Sequence, residues 1–224
     1  QLMICGGTVF FEAKVLGAVG LAKAASVELG IEVVPIFWMA TEDHDFEEIS
    51  SFHIGEHRFT WRQPDAKGPV GSLPTDSLAE QLESWLESVP LNAAQKELLQ
   101  PRLQAYKECE NLSEATRQWV RQWAEGLGLL VLDGQDASLK AAAEPLWREE
   151  MKGVYSKLIQ KQTEALVEHS YKAQVFPREI NLFDLRDGDR QRFEQADHQC
   201  PSLHISPNAL MRPLYQEFLL PNLA

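Results

Sequence analysis

Between Glu32 and Met39 the chain reads EVVPIFWM, apolar at nearly every position rather than at every second one. A strand with one face in water alternates. A run this continuous fits a strand covered on both faces, as in a parallel sheet. The preceding text agrees. Phe11, Val15, Ala18, Ala22, Ala25 and Leu29 recur at spacings of four and three, the stripe of an amphipathic helix. Thr8 is placed to cap its start and Gly30 to stop it in a left-handed conformation. Residues 2–5, Leu-Met-Ile-Cys, predict a short buried strand ahead of the Gly6-Gly7 turn. Strand, turn, helix, glycine and strand make a βαβ unit, so the expected fold class is α/β.

Downstream, FHIGEHRFTWRQ alternates Phe59 and Trp61 with polar residues and predicts a hairpin turning at Gly55-Glu56. Three helices are expected next. Ser77 and Glu80 form a capping-box pattern before Leu78, Leu82, Trp85 and Val89. Pro101 should kink or split the second helix, and the third carries Thr116, Trp119 and Trp123 on one side. GLLVLDG, residues 128–134, is a further buried strand that ends on Asp133. A long helix starting near Pro145 buries Trp147, Met151, Val154 and Leu158. A hairpin turns at Asp187-Gly188-Asp189, and Ser206-Pro207 opens a last helix.

Composition narrows the function. The chain has 224 residues, 44% of them apolar, and a formal net charge of −12. That is enough apolar content for a sizeable core, and an acidic surface repels phosphate backbones and anionic lipid. No apolar run approaches the roughly 20 residues that span a bilayer, and no secretory leader opens the sequence. Cys5, Cys109 and Cys200 are odd in number and widely spaced, which suggests neither a disulfide framework nor a zinc knuckle. A reduced, cytoplasmic, enzyme-sized protein is expected, without a metal and without nucleic acid or membrane as partner. Both ends read as cut from a longer chain.

The chemistry concentrates after the first long apolar run. TEDHDFEE places Glu42, Asp43, His44, Asp45, Glu47 and Glu48 within seven positions. A helix cap at Thr41 or Asp43, with Glu47 and Glu48 in the first turn, accounts for the later acids. It leaves Glu42, His44 and Asp45 over, and a carboxylate–imidazole pair at a strand end can serve as acid and base, or hold a divalent ion and a substrate amine. Ligands of parallel α/β sheets bind beyond the carboxyl ends of the strands, so the diglycine Gly6-Gly7 and this cluster are expected to face one crevice. There the glycines and the following helix start would receive an anion, although such a pair is more often a plain tight turn. The stretch HIGEH, residues 53–57, is similar to a nucleotidyl-transfer signature, but it precedes a strand rather than a helix. Arg178, Asn181, Arg212 and Gln216 stand as polar groups in apolar text; Arg178 is expected to pair with Glu179 or Asp184.

VPIFWMATEDHDFEEI, GLLVLDGQDASLK, QVFPREINLF and SPNALMRPLYQEFLLPNLA, in this order, resemble the cysteine-adding enzymes of bacillithiol biosynthesis. GGTVFFEAK matches less well, with Thr8 where that family usually has proline. The resemblance implies a Rossmann-like core interrupted by helical connecting segments. On that basis residues 1–63 begin the core, 64–112 form a helical insertion, and 113–224 continue the core into a further helical segment. It also implies a coiled-coil part through which the family forms homodimers, and a ligase that joins the cysteine carboxyl to the amine of glucosaminyl-malate, with ATP as the natural activator. Glu42, Asp43, His44 and Asp45 would then orient the substrate ammonium and take a proton. Gly6, Gly7 and Lys14 would hold one anion, and Arg212, with Asn208 and Gln216, a second. Two other readings remain open: a nucleotidyltransferase or pantothenate-synthetase-like ligase with another acceptor, and a non-catalytic helical interaction protein.

Overall fold

The computed structural model describes residues 2–173, 175–176, 178–186 and 189–193; at 184–186, 189 and 191 it describes backbone alone. Asn208, Arg212, Gln216, Cys200 and the helix expected at Ser206-Pro207 lie outside the described residues. The chain falls into two compact units that divide between Gln135 and Asp136.

In the first unit, α1 (Val9–Leu29) ends at Gly30, whose φ of 65° is the left-handed cap the sequence predicts. β1 (Ile36–Met39) follows, and it pairs in parallel with β4 (Leu130–Asp133) in the register Ile36↔Leu130 to Met39↔Asp133. Residues 2–5 are not a strand. Ile4–Gly6 form a 3-10 turn, because Cys5, Gly6 and Gly7 all take positive φ, at 52°, 85° and 67°. Four apolar residues cannot by themselves distinguish an extended segment from a buried turn. Leu2 and Ile4 are buried all the same. The parallel crossover therefore runs from β1 to β4 across residues 40–129. One face of this pair, with Met39 and Phe37, meets the core, whereas Ile36 and Trp38 on the other are about half exposed.

The crossover begins with the short α2 (Phe46–Ile49) and the antiparallel hairpin β2 (Ser51–Ile54) and β3 (His57–Thr60), turning at Gly55 with φ 58°. His53 and His57 sit in this ladder opposite Arg58 and Ile54. The three expected helices are α3 (Asp76–Ser88), α4 (Ala93–Glu108) and α5 (Leu112–Trp123). They pack in series, α3 on α4 and α4 on α5. Their buried residues join Met39, Ile49, Phe52, Phe59 and Trp61 in one apolar cluster. Two local expectations are corrected. Ser77 does not cap α3; it accepts a hydrogen bond from Trp61 Nε1 at 3.0 Å and donates to Gln63, so a tertiary contact takes the hydroxyl. α4 runs on through Pro101 as one helix, with a capping box at Asn92 and Gln95. Beside the N–H that proline lacks, the Arg102 guanidinium donates to the Leu98 carbonyl.

A non-glycine residue at positive φ is uncommon. Cys5 is held there by donating its N–H to the Tyr106 hydroxyl at 2.8 Å, while its carbonyl accepts from Arg102 Nε at 3.0 Å. Burial pushes the Cys5 thiol up to about 12, outweighing the nearby Arg102 charge. Native Cys5 is thus a thiol rather than a thiolate at pH 8, and the thiol is the unreactive form. Thiol-specific reagents followed by peptide mapping should modify Cys109, which is half-buried, in the folded protein and Cys5 only on unfolding.

In the second unit the long helix is broken. α6 (Ala137–Ala142) and α7 (Glu144–Met151) are followed by α8 (Val154–Glu168), and Gly153 at φ 70° makes the break. Pro145 lies in the first turn of α7, as expected, but Val154 and Leu158 are exposed rather than buried. β5 (Phe183–Arg186) and β6 (Asp189–Arg192) form the expected antiparallel hairpin. Asn181 fastens the approach to it. Its backbone N–H and its side-chain amide both donate to the buried Glu150 carboxylate, at 2.6 and 2.8 Å. Arg178 enters this clasp through its backbone, donating its N–H to Asn181 Oδ1 at 3.0 Å.

Candidate active site

The acidic loop follows Met39 at the carboxyl end of β1, beside the carboxyl end of β4. Its residues divide the work. Asp45 is the cap of α2, accepting from the Glu48 N–H at 3.2 Å, so the cap lies later than the Thr41 or Asp43 the sequence suggested. Asp43 Oδ1 accepts from the His44 N–H at 2.8 Å, a local turn that shapes the loop. Thr41 is buried and its hydroxyl donates to Asp133 across the two strand ends.

Glu42 and His44 are left. His44 Nδ1 lies 3.0 Å from the Glu42 carbonyl oxygen. A carbonyl only accepts, so Nδ1 carries the proton and Nε2 of the neutral ring holds a lone pair. That Nε2 is buried and has no hydrogen-bond partner among the described residues; the same is true of Glu42 Oε2. Buried polar atoms are rarely left unpaired without a reason. A base and a carboxylate oxygen, both unengaged, thus stand within two residues of one another at a parallel strand end.

Sequence reasoning marked Asp133 as a strand-ending acid but missed its importance. Its carboxylate collects the hydroxyls of Thr41 and Ser113, the Gln135 N–H at 2.8 Å, and Arg117 at 3.2 Å. Burial works against its charge, yet these donors, Ser113 and Thr41 first, outweigh burial and hold the carboxyl below its ordinary range. A carboxyl whose pKa is depressed on folding contributes stability above its unfolded pKa of about 3.9 and loses it as pH falls through the folded value. Chemical denaturation from pH 7 down to 2 should therefore show stability falling below about pH 4, and Asp133→Asn should remove that part of the acid dependence. The signal for Ser113 and Arg117 was their i, i+4 spacing at the start of α5, facing the end of GLLVLD.

The other predicted half of the site lies elsewhere. Gly6 and Lys14 line a cavity of about 350 Å³ with Phe10, Phe11, Ile36 and Phe37, and none of residues 41–48 lines it. That cavity meets the start of β1, one strand length or about 10 Å from the acidic loop. The diglycine N–H groups are also engaged already, Gly6 to Met3 O at 3.2 Å and Gly7 to Ile4 O at 2.9 Å. Gly6-Gly7 is a tight turn whose donors close on themselves. Among the described residues no three His, Cys, Asp or Glu side chains are grouped to hold a metal ion, and no helix is long and apolar enough to cross a membrane.

Parallel strands whose carboxyl ends carry a carboxylate, an imidazole and a shared acidic hub define an α/β protein of the Rossmann-like class. The profile described as "Bacillithiol biosynthesis BshC, N-terminal Rossmann-like domain" matches residues 1–203, and the chain belongs to this family. Among curated relatives, "Putative cysteine ligase BshC" of Flavobacterium johnsoniae is 36% identical over the whole of this chain, which covers 46% of that protein. Its counterpart in Cytophaga hutchinsonii is 32% identical, again over the whole chain, which covers 45% of it. The chain thus spans about half the length of the relatives it matches.

Proposed function

We propose that the complete protein carrying this chain is a ligase of bacillithiol biosynthesis, joining the carboxyl group of cysteine to the amine of glucosaminyl-malate. The observation that carries this reading is the pair of buried, unengaged atoms at the end of β1, Glu42 Oε2 and His44 Nε2. Amide formation needs an activated carboxyl group and a deprotonated amine. ATP is the natural co-substrate for the first requirement, transferring its adenylyl group to the cysteine carboxylate with release of pyrophosphate, so that AMP is the leaving group. The second needs a base within reach of the attacking nitrogen. His44 Nε2 takes the amine proton as the new C–N bond forms and the nucleotide group departs. Glu42 Oε2 receives an N–H of the substrate ammonium, which supplies the donor it otherwise lacks. Asp43 and Asp45 hold the loop that presents both groups.

The anion contacts complete this reading. Lys14, beside the Gly6-Gly7 turn, supplies a cation for one carboxylate or phosphate. Arg212, with Asn208 and Gln216, supplies another. The complete protein acts as a homodimer. The test is incubation of that protein with cysteine, glucosaminyl-malate and ATP, with mass spectrometry of the products. The expected result is bacillithiol formed only when all three are present. Turnover of ATP with another amine acceptor, and none with glucosaminyl-malate, would sink the assignment.

A further inference from the structure

We infer that Asp133 and Gly134, at the end of β4, are positioning residues that form a seat for the Glu42 carboxylate; this rests on the role given to Glu42 above. A side chain at residue 134 has no room. A Cβ there would overlap Glu42 Oε2 and stand 2.8 Å from both Glu42 Cδ and the Met39 carbonyl oxygen. The φ of Gly134 is not in the left-handed region, so space rather than backbone freedom requires glycine. Its N–H donates to Met39 O at 3.0 Å, which extends the strand pairing and fixes the Cα against which the carboxylate rests.

The preceding residue secures the other end of the same side chain. Asp133 Oδ1 accepts from the hydroxyl of Thr41, the residue before Glu42, and Oδ2 is held by Ser113 and Arg117 of α5. Thr41 O accepts from the Gly71 N–H at 2.9 Å, and Gly71 is equally tight, with a Cβ there falling 2.5 Å from Thr41 Cβ. Gln135 adds two bonds to Thr41, one to its hydroxyl at 3.1 Å and one to its carbonyl at 3.1 Å. Thr41 is thus bracketed on both sides, and Glu42 leaves it with little freedom except to lie on Gly134. A carboxylate fixed in this way is pre-organised for one substrate geometry.

The test uses four variants of the complete protein: Glu42→Gln, Glu42→Asp, Gly134→Ala and the double variant Gly134→Ala with Glu42→Asp. A displacement near 1 Å costs about 100-fold in rate, so Gly134→Ala should lower kcat by about that factor while KM for cysteine changes less. Shortening Glu42 makes room for the added methyl but withdraws the carboxylate, so Gly134→Ala should cost at least about tenfold less in kcat on the Glu42→Asp background than on the parent, a coupling that a purely structural glycine would not produce. If Glu42→Gln is inactive while Gly134→Ala turns over normally, the seat is refuted and the role of Glu42 stands. If Glu42→Gln itself turns over normally, the role of Glu42 fails first and the seat has no function. A Gly134→Ala cost that is the same on both backgrounds also overturns the inference. Should Gly134→Ala not yield folded protein, Thr41→Val keeps the shape of the side chain and removes the hydroxyl that donates to Asp133 and accepts from the Gln135 N–H. It should lower kcat in the same way, and an unchanged kcat refutes the seat.

Discussion

Replacing His44 by alanine in the complete protein is expected to lower bacillithiol formation by about 1,000-fold, within the range that general-base catalysis contributes. Glu42→Gln should cost about 100-fold or more, because it keeps the size of the side chain and removes the charge that meets the ammonium. The two residues are separable from their neighbours by what each already touches. Asp45 is engaged by the Glu48 N–H, so Asp45→Ala removes a helix cap and should show as about 1 kcal/mol of lost stability. His44 Nε2 has no hydrogen-bond partner among the described residues. His44→Ala also removes the Nδ1 bond to the Glu42 carbonyl, worth about 1 kcal/mol, so turnover should fall far more than the unfolding midpoint. Added imidazole should restore part of the activity of His44→Ala by supplying the missing base. Turnover in that variant within threefold of the parent protein would refute the role.

Much of this arrangement is legible in the residue order. The continuous apolar runs at 33–39 and 128–133 predict strands covered on both faces; the structure pairs them in parallel but leaves Ile36, Trp38 and Leu130 about half exposed. The cluster after Met39 predicts a strand-end site because it holds more acids than one cap needs. The expected sharing of one crevice with Gly6-Gly7 fails, since it depended on residues 2–5 being a strand and they form a turn. Of three successive positive φ values, the two at Gly6 and Gly7 suit glycine, but the one at Cys5 goes with tertiary bonds to Tyr106 and Arg102 that no local pattern encodes. Ser77 shows the same limit. Its capping-box spacing is genuine, yet the indole of Trp61 claims its hydroxyl. Gly134 carries no motif at all; its need for glycine appears only when Glu42, 92 positions earlier, comes to rest on it.

Arg102 should be among the most costly side chains to remove, with Arg102→Ala expected to destabilise the protein by about 4 kcal/mol. In sequence it passes for a surface charge in QPRLQAYK, although it falls on the buried stripe of α4 with Leu99, Leu103 and Tyr106. All three guanidinium nitrogens are used: Nε on the Cys5 carbonyl at 3.0 Å, one terminal nitrogen on Leu98 O, the other on Glu12 at 3.1 Å. The guanidinium also lies 4.6 Å from the centre of the Trp119 ring. One side chain of α4 thereby joins the N-terminal turn, α1 and α5. The loss is not mainly that of the ion pair, because Glu12 is 33% exposed and water can replace its partner. It comes from the buried Cys5 carbonyl left without its donor, the lost stacking on Trp119 and the space vacated between helices. Arg102→Met refills that space and removes the desolvated charge, so it should cost less than half as much. Urea unfolding of both variants measures the difference. The rate of Cys5 modification should rise in each, since the contact that holds Cys5 at positive φ is gone. A cost below about 1 kcal/mol for Arg102→Ala would mean that the turn and the helices are held by apolar packing alone.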